Sequence, residues 1–102
     1  MINVVVKYSN NFIREITVSG HSDYAEYGKD IVCAGVSAIS VGSLNAIYEF
    51  TGIKPEHIID DGYLLVKFSE DSINQIIAKV TLIQLESIEE SYSKHMKITE
   101  ER

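Results

Sequence analysis

The sequence predicts a small α+β domain in which helices pack on one β-sheet. Three observations carry this prediction: apolar and polar residues alternate near the N-terminus, two long segments carry apolar residues at helical spacing, and Asn or Gly residues mark tight turns. The expected order is a β-hairpin, a central helix, a second β-hairpin, an amphipathic helix and a short final strand. A chain of 102 residues has room for one core, so we expect one domain over residues 1–102.

The first hairpin is predicted by a period of two in residues 2–9, where the alternating side chains are Ile2, Val4, Val6 and Tyr8. Asn10 and Asn11 tolerate positive φ and therefore favour a tight turn into a second strand over residues 12–19. On that strand we expect three side chains to share one face: Phe12, Ile16 and Val18.

A long apolar helix should follow the polar loop after the hairpin. Asp30 can cap its start, and Gly52 can supply the left-handed exit after Thr51. Because the segment is apolar on nearly all sides, we expect it to be buried on nearly all sides. Small residues such as Gly42 should then allow close packing, so that a leucine at position 42 would overpack the core.

In the second half of the chain we again expect a β-hairpin followed by a helix. Residues 56–59 read as a short strand, and the turn at residues 60–62 leads into a strand over residues 63–68 whose inward side chains are Leu64, Val66 and Phe68. A helix should run from Ser72 to about residue 93, with a capping box of Ser72 and Gln75 and an apolar stripe of Ile73, Ile76, Ile77, Val80 and Ile83. Residues 96–99 would add an edge strand.

Composition excludes several classes of function. The formal charge of −6, without a basic cluster, disfavours nucleic acid and favours a cationic polypeptide as partner. The longest apolar run contains Ser37, Ser40, Ser43 and Asn45, which argues against a membrane span, and no secretion signal is recognisable. One cysteine cannot form an internal disulfide. These features together predict a cytoplasmic protein.

That cysteine, Cys33, is the third residue of the predicted helix if Asp30 is the cap. Backbone N–H groups and the helix dipole favour a thiolate at such a position, and His21 at the end of the second strand is placed to reach it. The residues alone leave an alternative open, in which Cys33 only packs in an apolar helix and His21 only occupies a turn. Ser37, one turn after Cys33, either supports the site or bonds to a helix carbonyl.

Other cysteine chemistries fit the sequence poorly. A phosphatase loop needs arginine where Ile39 stands, and dithiol redox chemistry needs a second cysteine. Zinc would require Cys33, His21, Asp30 and Asp23, which lack a recognised ligand spacing. We therefore expect no metal and no cofactor.

The segment SGHSDYAEYGKDIVCAGVSAIS resembles the signature of the bacterial ribosomal-processing cysteine protease family. That signature has a Gly-His pair, a glycine-containing loop, then Asp-Ile-Val-Cys-Ala and a serine one turn later. The matching residues here are Gly20, His21, Asp30, Cys33 and Ser37. The loop between them departs mildly from the family pattern, since Gly28 is its only glycine and it holds two tyrosines, Tyr24 and Tyr27. We expect these tyrosines to help select bulky apolar residues of the peptide.

The resemblance implies a homodimeric endopeptidase that removes the N-terminal extension of a large-subunit ribosomal protein. It implies Cys33 as nucleophile and His21 as general base. Asp30 matches the family's aspartate; its position before the helix gives it a capping role first and orientation of His21 as a second possibility. A loop would fold over the bound peptide; its residues are Ser22, Asp23, Tyr24, Ala25, Glu26, Tyr27, Gly28 and Lys29. The competing interpretation is a ribosome-assembly factor without catalysis, which binds a basic ribosomal protein through its acidic surface.

Overall fold

Five strands form one sheet in the computed structural model, which describes residues 1–26 and 30–102. The elements in chain order are β1 Ile2–Ser9, β2 Phe12–Ser19, α1 Ile31–Thr51, β3 His57–Asp60, β4 Tyr63–Lys67, α2 Ser72–Ser91 and β5 Met96–Glu101. The strand order across the sheet is β3-β4-β2-β1-β5. All neighbours are antiparallel except β1 and β5, which run parallel. The predicted α+β class and element order are confirmed.

Both helices cover the same face of this sheet. Along β1, residues 2, 4 and 6 are buried while residues 3 and 7 are exposed, so the predicted period of two is confirmed. Helices α1 and α2 pack against each other over the buried face. The core consists of aliphatic side chains from the strands and both helices, chiefly Val4, Val6, Ile16, Val32, Ile47, Val66, Ala78, Leu85 and Met96.

The first hairpin forms as predicted but with one register shift. Asn10 and Asn11 both take positive φ, 52° and 68°, at the turn. Tyr8 pairs with Ile13 whereas Lys7 pairs with Glu15, so β2 carries one extra residue at that point. The bulge reverses the alternation, and Ile13, 4% exposed, takes the inward position. The prediction that Phe12 shares the face of Ile16 and Val18 is therefore wrong.

Helix α1 has the predicted ends but not the predicted burial. Asp30 caps its start, and Gly52 at φ 75° ends it. One face is buried, while Ile31, Tyr48 and Phe50 on other faces are 55%, 53% and 71% exposed. By length and composition alone α1 could span a membrane, a test that core helices also pass. Here its buried face packs on α2 and the sheet.

The exposed side of α1 includes Gly42. No atom lies within 4 Å of the place where its Cβ would be. The expectation that a leucine there would overpack the core is therefore wrong, because a pattern of small residues does not by itself say which face meets another element.

Helix α2 begins at Ser72, but Asp71 is its cap and accepts from the Asn74 backbone N–H at 2.9 Å. Gln75 instead pairs with the backbone N–H and C=O of Ile13, each at 2.9 Å, so the predicted capping box is wrong. The predicted stripe is also wrong, since four of its members are at least 40% exposed: Ile73, Ile76, Val80 and Ile83. The buried face carries Asn74, Ala78, Thr81, Leu82 and Leu85.

The small residues at this contact explain the difference. Ala78 has no side chain beyond Cβ, and the Thr81 hydroxyl forms a hydrogen bond with Ser43 of α1, so polar residues are satisfied inside the helix pair. Leu64, Val66 and Phe68 are buried as predicted. Strand β5 is an edge strand as predicted, but it extends two residues further than expected.

Candidate active site

Cys33 lies at the start of α1 as its third residue, and its side chain is partly buried. The Asp30 carboxylate accepts hydrogen bonds from the backbone N–H groups of Val32 and Cys33, both at 3.0 Å. These are two of the helix N-terminal donors that the sequence analysis expected to favour a thiolate. Because these two N–H groups already donate to Asp30, the start of the helix has fewer free donors for the sulfur than the position of Cys33 suggests.

Ser22 supplies the donor that the sulfur does receive. Its backbone N–H donates to Cys33 Sγ at 3.4 Å. A hydrogen-bond donor aimed at a sulfur atom favours the thiolate over the thiol. Among the described residues, the Ser22 amide is the backbone group that donates to the sulfur.

All polar groups of Ser22 are bonded, and the residue is 1% exposed. Its hydroxyl donates to Asp30 Oδ2 and accepts from the Tyr24 backbone N–H at 3.2 Å. Its carbonyl accepts from His95 Nδ1 at 3.0 Å. Ser22, expected as part of a loop over the substrate, therefore serves as a buried anchor where that loop begins.

His21 is exposed and lies beside the turn between β3 and β4. Its Nε2 is 3.1 Å from the position that a Cβ on Gly62 would occupy, and the Gly20 N–H donates to the Gly62 carbonyl at 3.0 Å. No hydrogen bond to the His21 ring occurs within the described part of the chain. Because the Ser22 nitrogen is 3.4 Å from the sulfur, the His21 Cα is at most about 6 Å from Sγ.

Gly20 must be glycine for a separate reason. It has φ 86°, and a Cβ there would overlap the carbonyl oxygen of Met1. The close approach of β1 to this point fixes where β2 ends. It thereby fixes the backbone from which His21 and Ser22 project.

An open cleft of about 820 Å³ brings the sequence-predicted residues together. Gly20, His21, Asp30, Cys33 and Ser37 all line it. Its apolar wall comes from β2, α1 and the second hairpin, with Val18, Val36, Val41, Ile59, Tyr63 and Leu64. Carboxylates also border it, those of Asp23, Glu26, Asp60 and Asp61. Such a cleft fits an extended peptide with an apolar side chain and neighbouring positive charge.

The loop residues expected to cover a peptide divide between the cleft and the protein body. Asp23, Ala25 and Glu26 line the cleft. The Tyr24 ring packs edge-on against Tyr92 and His95, with centroids 5.5 and 5.2 Å apart, and does not line the cleft. The expectation that Tyr24 selects substrate side chains is therefore not supported by this geometry. Tyr27, Gly28 and Lys29 lie outside the described residues.

Asp30 acts as a cap, and its carboxylate bonds lead to Ser22 and to α1 rather than to the His21 ring. Desolvation raises its pKa, but bonds from the Ser22 hydroxyl, from Cys33 and from the Val32 N–H outweigh this and hold the pKa at about 2. The carboxylate is therefore ionised at neutral pH. It joins Ser22, the first residue of the loop, to Asp30, which directly follows the loop.

His95 is the residue that the sequence did not point to. It lies just before β5, far from the motif, and nothing in its neighbours suggests a contact with residue 22. The parallel pairing of β5 with β1 brings it there, because the Ile2 N–H donates to the His95 carbonyl at 2.9 Å.

Comparison with known proteins decides the family. The profile of the family described as Cysteine protease Prp matches residues 1–97. The chain belongs to the Prp family of cysteine proteases. It is 38% identical over 91 residues to the ribosomal processing cysteine protease Prp of Staphylococcus aureus, covering 84% of this chain and 85% of that protein. It is 32% identical over 108 residues to the Prp of Bacillus subtilis, covering 97% and 96% of the two chains.

Solved Prp structures share the fold. A crystal structure of the essential Prp from S. aureus with a covalently linked product peptide superposes with a TM-score of 0.93 at 33% identity, over 99% of this chain and all of that one. A second S. aureus Prp structure, with a substrate peptide, has a TM-score of 0.84 at 34% identity over the same shares of the two chains. The protein is thus a cysteine protease of the ribosomal-processing type, as the motif predicted.

The contact between His21 and Gly62 predicts unequal effects of two similar substitutions. Gly62→Asn should lower proteolysis by about threefold or more, because the added side chain would crowd the imidazole at the turn from which the ring has to rotate to reach the sulfur. Gly52→Asn is the matched control, since Gly52 also has positive φ, 75°, but no atom lies within 4 Å of its Cβ position. The rate of peptide cleavage by each variant measures the difference, and thermal unfolding shows whether both variants are folded. Equal activity in the two folded variants would show that the turn does not position His21.

The low pKa of Asp30 predicts an acid-dependent loss of stability. A carboxyl group whose pKa is about 2 when folded and near 3.8 when unfolded stabilises the fold above pH 4, and this contribution disappears as the pH falls toward 2. Urea unfolding of the parent protein and of Asp30→Asn, which keeps an acceptor for the cap but has no charge to titrate, isolates the effect. The stability difference between them should shrink between pH 4 and 2. A constant difference would contradict the assignment.

Proposed function

We propose that this cysteine protease removes the N-terminal extension of a large-subunit ribosomal protein in the cytoplasm, with Cys33 as nucleophile and His21 as general base. The observation that carries the proposal is that both residues line one open cleft, with the Ser22 amide on the sulfur. The S. aureus Prp crystallised with a covalently linked product peptide supports a covalent mechanism.

In the proposed first step, His21 takes the Cys33 proton and the sulfur attacks the scissile carbonyl. Rotation about the His21 side-chain bonds would bring the imidazole from Gly62 toward the sulfur, which is within reach because the His21 Cα is at most about 6 Å from Sγ. The tetrahedral intermediate collapses to a thioester as the imidazolium gives its proton to the leaving amine. The released product is the part of the substrate that follows the cut.

In the second step, His21 takes a proton from water, which attacks the thioester carbonyl. Collapse of this intermediate expels the Cys33 sulfur, which regains its proton from the imidazolium, and frees the N-terminal extension as an acid. Asp30 takes no proton in this scheme. With its pKa at about 2, it remains a carboxylate that holds Ser22 and the start of α1.

The walls of the cleft fit the proposed substrate class. The aliphatic side chains of Val36, Val41 and Leu64 would receive an apolar residue of an extended peptide. Asp60 and Asp61, on the opposite hairpin, would attract the positive charges that ribosomal proteins carry. The net charge of −6 favours the same encounter.

The acidic surface also supports the second candidate, an assembly factor that binds a basic ribosomal protein without cutting it. The two functions differ in what they require of Cys33. A binding protein needs the carboxylates around the cleft but not the sulfur. A protease needs the sulfur whatever its affinity for the substrate.

Cleavage of a peptide that copies the N-terminal extension of the host's own ribosomal protein separates them. The parent protein should cut the peptide at one bond, while Cys33→Ala and His21→Ala should lose about 10³-fold or more in kcat. Cys33→Ala should still bind the peptide, as measured by isothermal titration calorimetry. Binding by the parent without cleavage would favour the assembly factor, and undiminished cleavage by Cys33→Ala would refute the nucleophile.

We further propose that the protein is a homodimer. Several large apolar side chains on the outer faces of both helices are more than half exposed in the single chain: Tyr48, Phe50, Ile76 and Ile83. Sedimentation equilibrium at micromolar concentration should give twice the chain mass of 11.4 kDa. A mass of one chain across that range would contradict the dimer.

A further inference from the structure

We propose that His95 is a positioning residue of the active site, which holds Ser22 so that its amide stays on the Cys33 sulfur. The inference rests on the proposed role of Cys33 as nucleophile. His95 touches neither the cleft nor the sulfur. Its effect would pass through one hydrogen bond, from His95 Nδ1 to the Ser22 carbonyl at 3.0 Å.

His95 is itself rigidly held on both sides. Its backbone N–H donates to the Tyr92 carbonyl at 2.8 Å, and its carbonyl accepts from the Ile2 N–H at 2.9 Å. Its backbone is therefore tied to the end of α2 and to the start of β1. The Tyr24 ring packs on the imidazole at an interplanar angle of 79°, which restricts rotation of the ring.

The Ser22 carbonyl has little access to a donor other than His95. The residue is 1% exposed, and its hydroxyl and N–H are committed to Asp30 and to Cys33 Sγ. If the His95 donor were removed, the carbonyl would be left unpaired in a buried place. Moving it to water would draw the adjoining amide away from the sulfur, because both groups belong to one residue.

This role does not depend on the charge of the ring. Nδ1 carries a proton both in the imidazolium and in the neutral tautomer that this hydrogen bond selects, so the donor is present in either state. What the role requires is a donor at the position of Nδ1. Asparagine can place its amide N–H₂ near that position, whereas glutamine places its donor closer to that of Nε2.

The chain contains a matched control. His57 makes the same kind of bond, from Nδ1 to the Pro55 carbonyl at 2.8 Å, and is partly buried like His95. Its partner is two residues away, and neither His57 nor Pro55 lines the cleft. Replacing His57 therefore removes a histidine-to-carbonyl hydrogen bond like that of His95 but leaves the contacts of Ser22 unchanged.

The test compares His95→Leu, His95→Gln, His95→Asn and His57→Leu. For each variant we would measure iodoacetamide alkylation of Cys33 against pH by intact-mass spectrometry, kcat and KM for peptide cleavage, and Tm. His95→Leu and His95→Gln should lower kcat by about tenfold with KM within about twofold, and should slow alkylation at neutral pH by about threefold. His95→Asn should recover most of both losses, and His57→Leu should match the parent in both.

Parental kcat and alkylation in folded His95→Leu would overturn the proposal. Equal losses in the asparagine and glutamine variants, with a lowered Tm in both, would also overturn it, because they would indicate general destabilisation. If His95→Leu fails to fold, the asparagine and glutamine variants decide. Should Cys33→Ala prove active, the proposed nucleophile fails, but the alkylation profiles still show whether His95 controls the contact between Ser22 and the sulfur.

Discussion

The hydrogen bond from the Ser22 amide to Cys33 Sγ is the contact on which the site depends. It joins the end of β2 to the start of α1, across the loop that separates them in sequence. Ser22 also binds Asp30, the residue that caps the same helix, so one buried serine fixes both the sulfur and the helix end. A buried residue with all of its polar groups bonded has little freedom to shift, and the sulfur therefore has a defined neighbour.

The sheet also determines where the backbone of His21 lies. Strands β2 and β4 pair antiparallel, so the end of β2 lies beside the turn that begins β4. That turn supplies Gly62, against which the His21 ring rests. The cleft forms where β2, α1 and the second hairpin meet. Its apolar wall is continuous with the hydrophobic core, since Val18, Val36 and Leu64 belong to both. The fold therefore brings an apolar surface together with His21 and Cys33, the proposed catalytic pair.

Local signals predicted the ends of elements well and their faces less well. Asn10, Asn11, Asp30 and Gly52 act through their own backbone conformation or cap, which neighbouring residues suffice to determine. The buried face of α2 was not predictable in this way, because its isoleucines offered an apolar stripe as good as the one that packs. Only the small size of Ala78 and Thr81 opposite α1 decides between them. The motif led to Cys33 and His21, but His95 required the parallel β1–β5 pairing, a long-range contact that no local pattern encodes.

The most direct measurement of the central contact is the Ser22 amide resonance followed by ¹H–¹⁵N NMR as pH is raised. If this N–H donates to the sulfur, its proton shift should change in step with ionisation of the thiol, followed independently by the Cys33 Cβ carbon shift. The change should vanish in Cys33→Ala. A Ser22 amide that does not respond to thiol ionisation, in a folded protein, would contradict the account of how this site is held together.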